Sequence, residues 1–182
     1  MIILGIDPGS QITGFGVIKV EGSRFQVLEA GPIRLKKFGD LPQRLLHLND
    51  HLDQLIQRHQ PQALAIEKVF HGVNVQSALV LGHVRGVVMM LAAKYNMSIG
   101  EYAPTQVKKS VTGYGRAEKE QMQEVVRILL HLDEIPKPND VADALAIAIC
   151  HAHAAPVNAR YQVAVKRAER KSASDLTRFF SE

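Results

Sequence analysis

The sequence contains no tryptophan and one cysteine, and aromatic residues make up 5% of its 182 positions. A lone cysteine excludes a disulfide scaffold and a cysteine-based zinc site. Set in the apolar run ALAIAIC, Cys150 reads as a small buried hydrophobe. No apolar run approaches the ~20 residues that cross a bilayer, and the first residues lack the basic start and small-residue cleavage site of a secretory signal. A cytoplasmic protein is the expectation. Internal repeats and low-complexity segments are also absent. Charge of either sign is nearly balanced until the end of the chain: +3 of the net +4 falls in residues 158–182. Such an end serves either as a nucleic-acid tether or as a solvated, poorly ordered tail, so it points only weakly to a polyanionic partner.

What is present is a regular alternation of apolar patterns. MIILGID, ITGFGVIKV and FQVLEAGPIRL read as three strands of an antiparallel meander, the first turn made by Pro8-Gly9. Leu41, Leu45, Leu48, Leu52 and Leu55 then recur at helical spacing after Asp40, a suitable N-cap. ALAIE at 63–67 is a strand buried on both faces. A helix from about Val75 to Tyr95 carries Gly82 and Gly86, each costing it ~1 kcal/mol relative to alanine. Two such glycines imply that another backbone comes close, from the chain's own sheet or from a second subunit. MSIGEY is a fifth strand, Pro104 opens a short helix ending near Gly113, and Met122, Val125, Val126 and Leu129 mark an amphipathic helix over about 117–132. The final helix, starting near Asn139 or Asp140, is apolar almost all round and belongs inside the protein. The expected architecture is α/β, a mixed five-stranded sheet of a three-stranded antiparallel meander plus two parallel strands, flanked by helices. Residues 1–156 form the domain, and 157–182 form a basic tail with no fixed structure assigned.

Two strands end in an acid. Asp7 closes IILGID and Glu67 closes ALAIE, and a crossover helix between them lets the strands lie parallel with both carboxylates at one end. Asp140 and Asp143, three apart at the start of the buried helix, project from one face. Taken alone, these two read as an N-cap and a first-turn acid. Converging with the strand acids, they would place four negative charges in one cleft, a penalty that divalent cations remove. Oxygen-only donors suit Mg²⁺ or Mn²⁺, and two ions ~3.5–4 Å apart are a device for phosphodiester hydrolysis. His151 and His153, two apart on a helix, face different ways and make a poor metal pair; surface or capping roles suffice for most of the eight histidines, and none is assigned to catalysis.

GIDPGSQITGFGVI, AIEKVF, SALVLGHVRGVV, APTQVKKSVTGYGRAEKEQM and DVADALAIAI resemble, in order over roughly residues 1–155, the signature segments of the RuvC family of Holliday junction resolvases. The resemblance implies a ribonuclease H-like fold and a Mg²⁺-dependent homodimer, with two ions per site and Mn²⁺ able to substitute. It also implies symmetric paired nicks across a four-way DNA junction that leave 5′-phosphate and 3′-hydroxyl ends, in recombination and repair beside a branch-migration helicase of the RuvA–RuvB type. Carried onto this chain, it makes Asp7, Glu67, Asp140 and Asp143 the catalytic metal ligands. It also raises Lys108 and Lys119 from ordinary surface lysines to DNA-phosphate contacts, with Lys109 able to share the work of Lys108. Phe70 becomes either an aromatic that stacks on an unpaired base at the crossover or a core residue at a strand end. The Gly82/Gly86 helix falls at the dimer interface. GIDPG alone also resembles the phosphate loop of actin-like ATPases, which need a second lobe, and the YqgF-type RNA-processing nucleases. A non-catalytic junction-binding module is the remaining alternative.

Overall fold

A computed structural model describes residues 1–68 and 75–155. Phe70 and the basic stretch 157–182 lie outside the described residues. Strands β1 (Ile2–Asp7), β2 (Ile12–Glu21) and β3 (Arg24–Arg34) form the antiparallel meander, and helix α1 (Leu41–His59) leads to β4 (Ala63–Glu67). Helix α2 (Val75–Lys94), β5 (Ser98–Tyr102), α3 (Pro104–Thr112) and α4 (Lys119–Leu129) follow, and α5 occupies residues 139–155. The sheet order is β3-β2-β1-β4-β5, with β4 parallel to both its neighbours. The mixed five-stranded sheet read from the sequence is therefore the one formed. Asp40 caps α1 by accepting from the Gln43 N–H at 3.3 Å, and Gly113 ends α3 in the left-handed region that favours glycine, at a φ of 79°.

Alternation along the strands separates two layers. Leu4 and Ile6 of β1, Phe15 and Val17 of β2, and Leu64 and Ile66 of β4 face α1 and α2, joining Leu48, Leu52, Val84, Val88 and Leu91 in one core. Ile3, Gly5 and Asp7 face the other way, toward α5. There Ala144, Leu145, Ile147 and Ala148 are at most 1% exposed. This approach is close because the sheet surface beneath it is glycine. A Cβ on Gly5 would collide with the Ala144 carbonyl oxygen and lie 2.8 Å from the Ala148 Cβ, and one on Gly14 would strike the Asp140 carbonyl. Gly16 lies under Leu145 in the same way.

Two expectations need correction. Helix α2, although interrupted by His83 and Arg85, is by length and composition long and apolar enough to cross a membrane, with a mean hydropathy of 1.5 over its best window. One side of it is seated in the core through Val84, Val88, Leu91 and Ala92, while Val75, Leu79 and Met90 stand exposed. Its glycines do not meet the chain's own sheet, since among the described residues nothing lies within 4 Å of a Cβ built on Gly82 or Gly86. The second concerns the histidines, most of them expected at the surface or at caps: His151 is buried. Its Nδ1 lies 3.0 Å from the Tyr102 hydroxyl, above Gly100.

Gly5→Ala should lower stability by about 1–3 kcal/mol, the usual cost of forcing a methyl group into a closed contact. Urea unfolding should show a reduced midpoint with an unchanged slope.

Candidate active site

Register decides where the strand acids go. Pairs Ile3↔Ala63 to Ile6↔Ile66 join β1 and β4 in parallel, so Asp7 and Glu67, the next residue on each, leave the sheet side by side and on one face. Asp7 also lies opposite Gly14 in β2, the glycine against which the Asp140 backbone rests. Helix α5 thus brings its first turn over the strand end that carries Asp7. Lys119, opening α4, places Nζ 3.0 Å from Oδ2 of Asp143. Lys108 on α3 donates to the Ala117 carbonyl at 2.7 Å and so ties α3 to the segment before α4. Glu67, Asp143, Lys108 and Lys119 line a single cleft, walled on its apolar side by Met122 and Ile147. Lys109 is exposed instead.

The electrostatics follow from this crowding. Burial, reinforced by the charges of Glu67, Asp143 and Asp140 and softened by Lys119, pushes the Asp7 pKa up to about 8. Burial also raises Glu67, with Asp143 adding to the shift and a hydrogen bond from Asp7 opposing it. Asp143 is raised by burial against the pull of Lys119. For Lys119, desolvation acts downward but is outweighed by the hydrogen bond to Asp143 and the charges of Asp143, Asp7 and Asp140, so its pKa rises. Among the described residues no group of three or more Asp, Glu, His or Cys side chains stands close enough to hold a metal ion. The oxygen donors of Asp7, Glu67 and Asp143, their pKa values raised by burial and by neighbouring carboxylates, are nevertheless the kind of donor set that a hard divalent cation takes.

Sequence reasoning passed over two supporting residues. Thr13 is fully buried, and its Oγ1 donates to the Gly9 carbonyl at 3.2 Å and accepts from the Gly9 N–H at 3.4 Å, fixing the turn that follows Asp7. Arg85 donates to the backbone carbonyl of Glu67 and reaches Glu101. A lone arginine inside an apolar helix was the signal available for it.

A family model described as crossover junction endodeoxyribonuclease RuvC matches residues 3–151. The chain belongs to the RuvC family. The crossover junction endodeoxyribonuclease RuvC of Alkaliphilus metalliredigens is 49% identical over 163 residues, which is 90% of this chain and 99% of that protein. Thermus thermophilus RuvC superposes with a TM-score of 0.80 at 32% identity, covering 87% of this chain and 97% of that one. The same protein in complex with Holliday junction substrate gives 0.79 at 30% identity over 86% and 96%. These likenesses bear out the ribonuclease H-like reading of the sheet. Of the segments that resemble the RuvC pattern, the ends of β1 and β4, the start of α4 and the start of α5 meet at the cleft; Phe70 lies outside the described residues.

A carboxyl whose folded pKa is raised binds a proton that the unfolded chain has released, so stability falls as pH rises from its ordinary 3.8 to about 8. Asp7→Asn removes this loss. In EDTA at pH 8 the variant should melt higher than the parent chain, by roughly 2–4 °C for each kcal/mol recovered. At pH 4 the difference should disappear.

Proposed function

We propose that this chain is a Mg²⁺-dependent endonuclease that resolves four-way DNA junctions in recombination and repair, acting as a homodimer in the cytoplasm. The observation that carries the reading is the meeting of Asp7, Glu67, Asp140 and Asp143 beside Lys108 and Lys119, in a chain of the RuvC family. Asp7, Glu67, Asp140 and Asp143 would hold two divalent ions, Mg²⁺ or in its place Mn²⁺. Such ions supply a nucleophilic water at neutral pH and charge stabilisation for the leaving oxygen.

The chain's own residues do the rest. Asp7, its pKa pushed up to about 8 by burial and neighbouring carboxylates, would give up its proton to serve as a ligand. Lys119, already drawn into the cleft by Asp143, can turn its ammonium toward a phosphate, and Lys108 stands beside it on the same wall. Contacts of this kind position DNA without reading its sequence, so branched geometry is selected by the spacing of two sites in a dimer. Cleavage leaves 5′-phosphate and 3′-hydroxyl ends. Phe70 serves in this reading as the aromatic that stacks at the crossover, the nuclease domain spans residues 1–156, and the basic stretch 157–182 follows as a tail. The branch-migration helicase of the RuvA–RuvB type is the motor that supplies the junction.

The dimer reading is supported by α2. Val75, Leu79, Gly82, Gly86 and Met90 recur at helical spacing along its exposed side, and no described residue occupies the space above either glycine. A second copy of the helix fits such a surface, because small residues let backbones approach and twofold symmetry makes the patch self-complementary.

Asp143→Asn should slow junction cleavage on the order of 10²-fold or more, since charge stabilisation by bound metal is worth several kcal/mol. Junction binding in a gel-shift assay should persist. Loss of binding together with unfolding would assign Asp143 a capping role instead. The cleavage assay should set a synthetic four-way junction against linear duplex and an RNA hairpin, with and without Mg²⁺, and cutting of the hairpin alone would favour the YqgF-type reading. Leu79→Asp, at a position 60% exposed in the protomer, should yield a folded monomer by sedimentation and uncouple the paired nicks. A variant that stays dimeric and still cuts both strands together would contradict the α2 interface.

A further inference from the structure

Arg85 is one of few charged residues in α2, and its side chain is 14% exposed. Its guanidinium bridges two strands: Nη1 donates to the backbone carbonyl of Glu67, and Nη2 lies 2.5 Å from Oε2 of Glu101 on β5. Gly100 and Tyr102, the neighbours of Glu101, meet His151 on the α5 side. By alternation Glu101 faces α2, on the side of the sheet away from the Glu67 carboxylate. Arg85 therefore grips the end of β4 from behind.

The grip falls where the sheet releases the chain. The β1–β4 ladder runs to Ile66. Beyond it, Glu67 pairs with Tyr102, and the Lys68 N–H donates to the Tyr102 carbonyl at 2.8 Å. The Glu67 carbonyl at this last rung takes Arg85 as a partner. We propose that Arg85 is a positioning residue for Glu67: anchored on Glu101, it fixes the strand-end backbone and thereby aims the Glu67 carboxylate at the bound cation. This rests on the reading of Glu67 as a metal ligand. A planar, forked guanidinium can hold a carbonyl and a carboxylate together, whereas the single ammonium of lysine holds them less well. Groups that orient a metal ligand from outside the coordination shell change metal affinity by roughly 10–100-fold.

The test compares the full-length parent chain with Arg85→Ala, Arg85→Lys and Glu67→Gln, using Mn²⁺ alone as the probe. Mn²⁺ binding is followed by electron paramagnetic resonance, cleavage is measured against Mn²⁺ concentration, junction binding is measured in EDTA, and oligomeric state is read by sedimentation. Arg85→Ala should weaken Mn²⁺ binding by roughly 10-fold and Arg85→Lys by less. Cleavage should recover at saturating Mn²⁺, with junction binding and sedimentation unchanged. A residue that merely stabilised the fold would lower the melting temperature without moving Mn²⁺ affinity. Should Arg85→Ala fail to fold, Arg85→Lys carries the comparison. If Glu67→Gln loses Mn²⁺ while the folded Arg85 variants bind it like the parent, the Arg85 inference is overturned and the site reading stands. If Glu67→Gln binds Mn²⁺ like the parent, the site reading falls and the Arg85 inference falls with it.

Discussion

The backbone of α5 lies on strands β1 and β2 where side chains would otherwise stand. Gly5, Gly14 and Gly16 clear the surface, and Ala144, Leu145 and Ala148 fill it from above. The contact is unforgiving, because the nearest atoms to two of the missing methyl groups are carbonyl oxygens of the helix, which cannot rotate away. It sets how far the start of α5 stands from the end of β1. Asp140 and Asp143 would otherwise have no fixed relation to Asp7, since more than a hundred residues separate them in the chain.

Close packing and charge crowding are two faces of that arrangement. The helix that excludes water from the sheet also desolvates Asp7 and brings like charges toward it, and both effects raise its pKa. Lys119 relieves part of the load by pairing with Asp143. The relief is incomplete, because Asp7, Glu67 and Asp143 stay shifted upward even with the lysine in place. A site whose carboxyls are held above their ordinary range by burial and mutual repulsion suits cations, whose charge would relieve both effects. That crowding makes the folded chain less stable than it could be, an expected trade where chemistry needs concentrated charge.

Much of this was legible in the residues themselves. An apolar strand ending in an acid is a local contradiction, and it occurs at both Asp7 and Glu67; the crossover between them implied the parallel pairing that β1 and β4 adopt. The strands and helices also followed from periodicity and caps, Asp40 and Gly113 among them. Other features depend on three-dimensional neighbours and left no periodic trace. The buried pairing of His151 with Tyr102 arises because Gly100 opens a space between α5 and β5. Arg85 joins residues 18 and 16 positions away on two strands, a link that no spacing rule anticipates. Gly82 and Gly86 pointed to a close approach by the chain's own sheet or by a second subunit, and among the described residues the chain supplies no neighbour for them. The resemblance to the RuvC family, carried by five ordered segments, did what local pattern could not in raising Lys108 and Lys119 to candidates.

The central claim is that this helix-on-glycine contact gathers Asp7, Glu67, Asp140 and Asp143 into one cation site. Anomalous diffraction from crystals of the full-length protein soaked in Mn²⁺ tests it most directly. The account predicts manganese peaks within coordination distance of these carboxylates, ~3.5–4 Å apart if both positions fill. Manganese bound only elsewhere, or carboxylates that stay apart at saturating Mn²⁺, would contradict it.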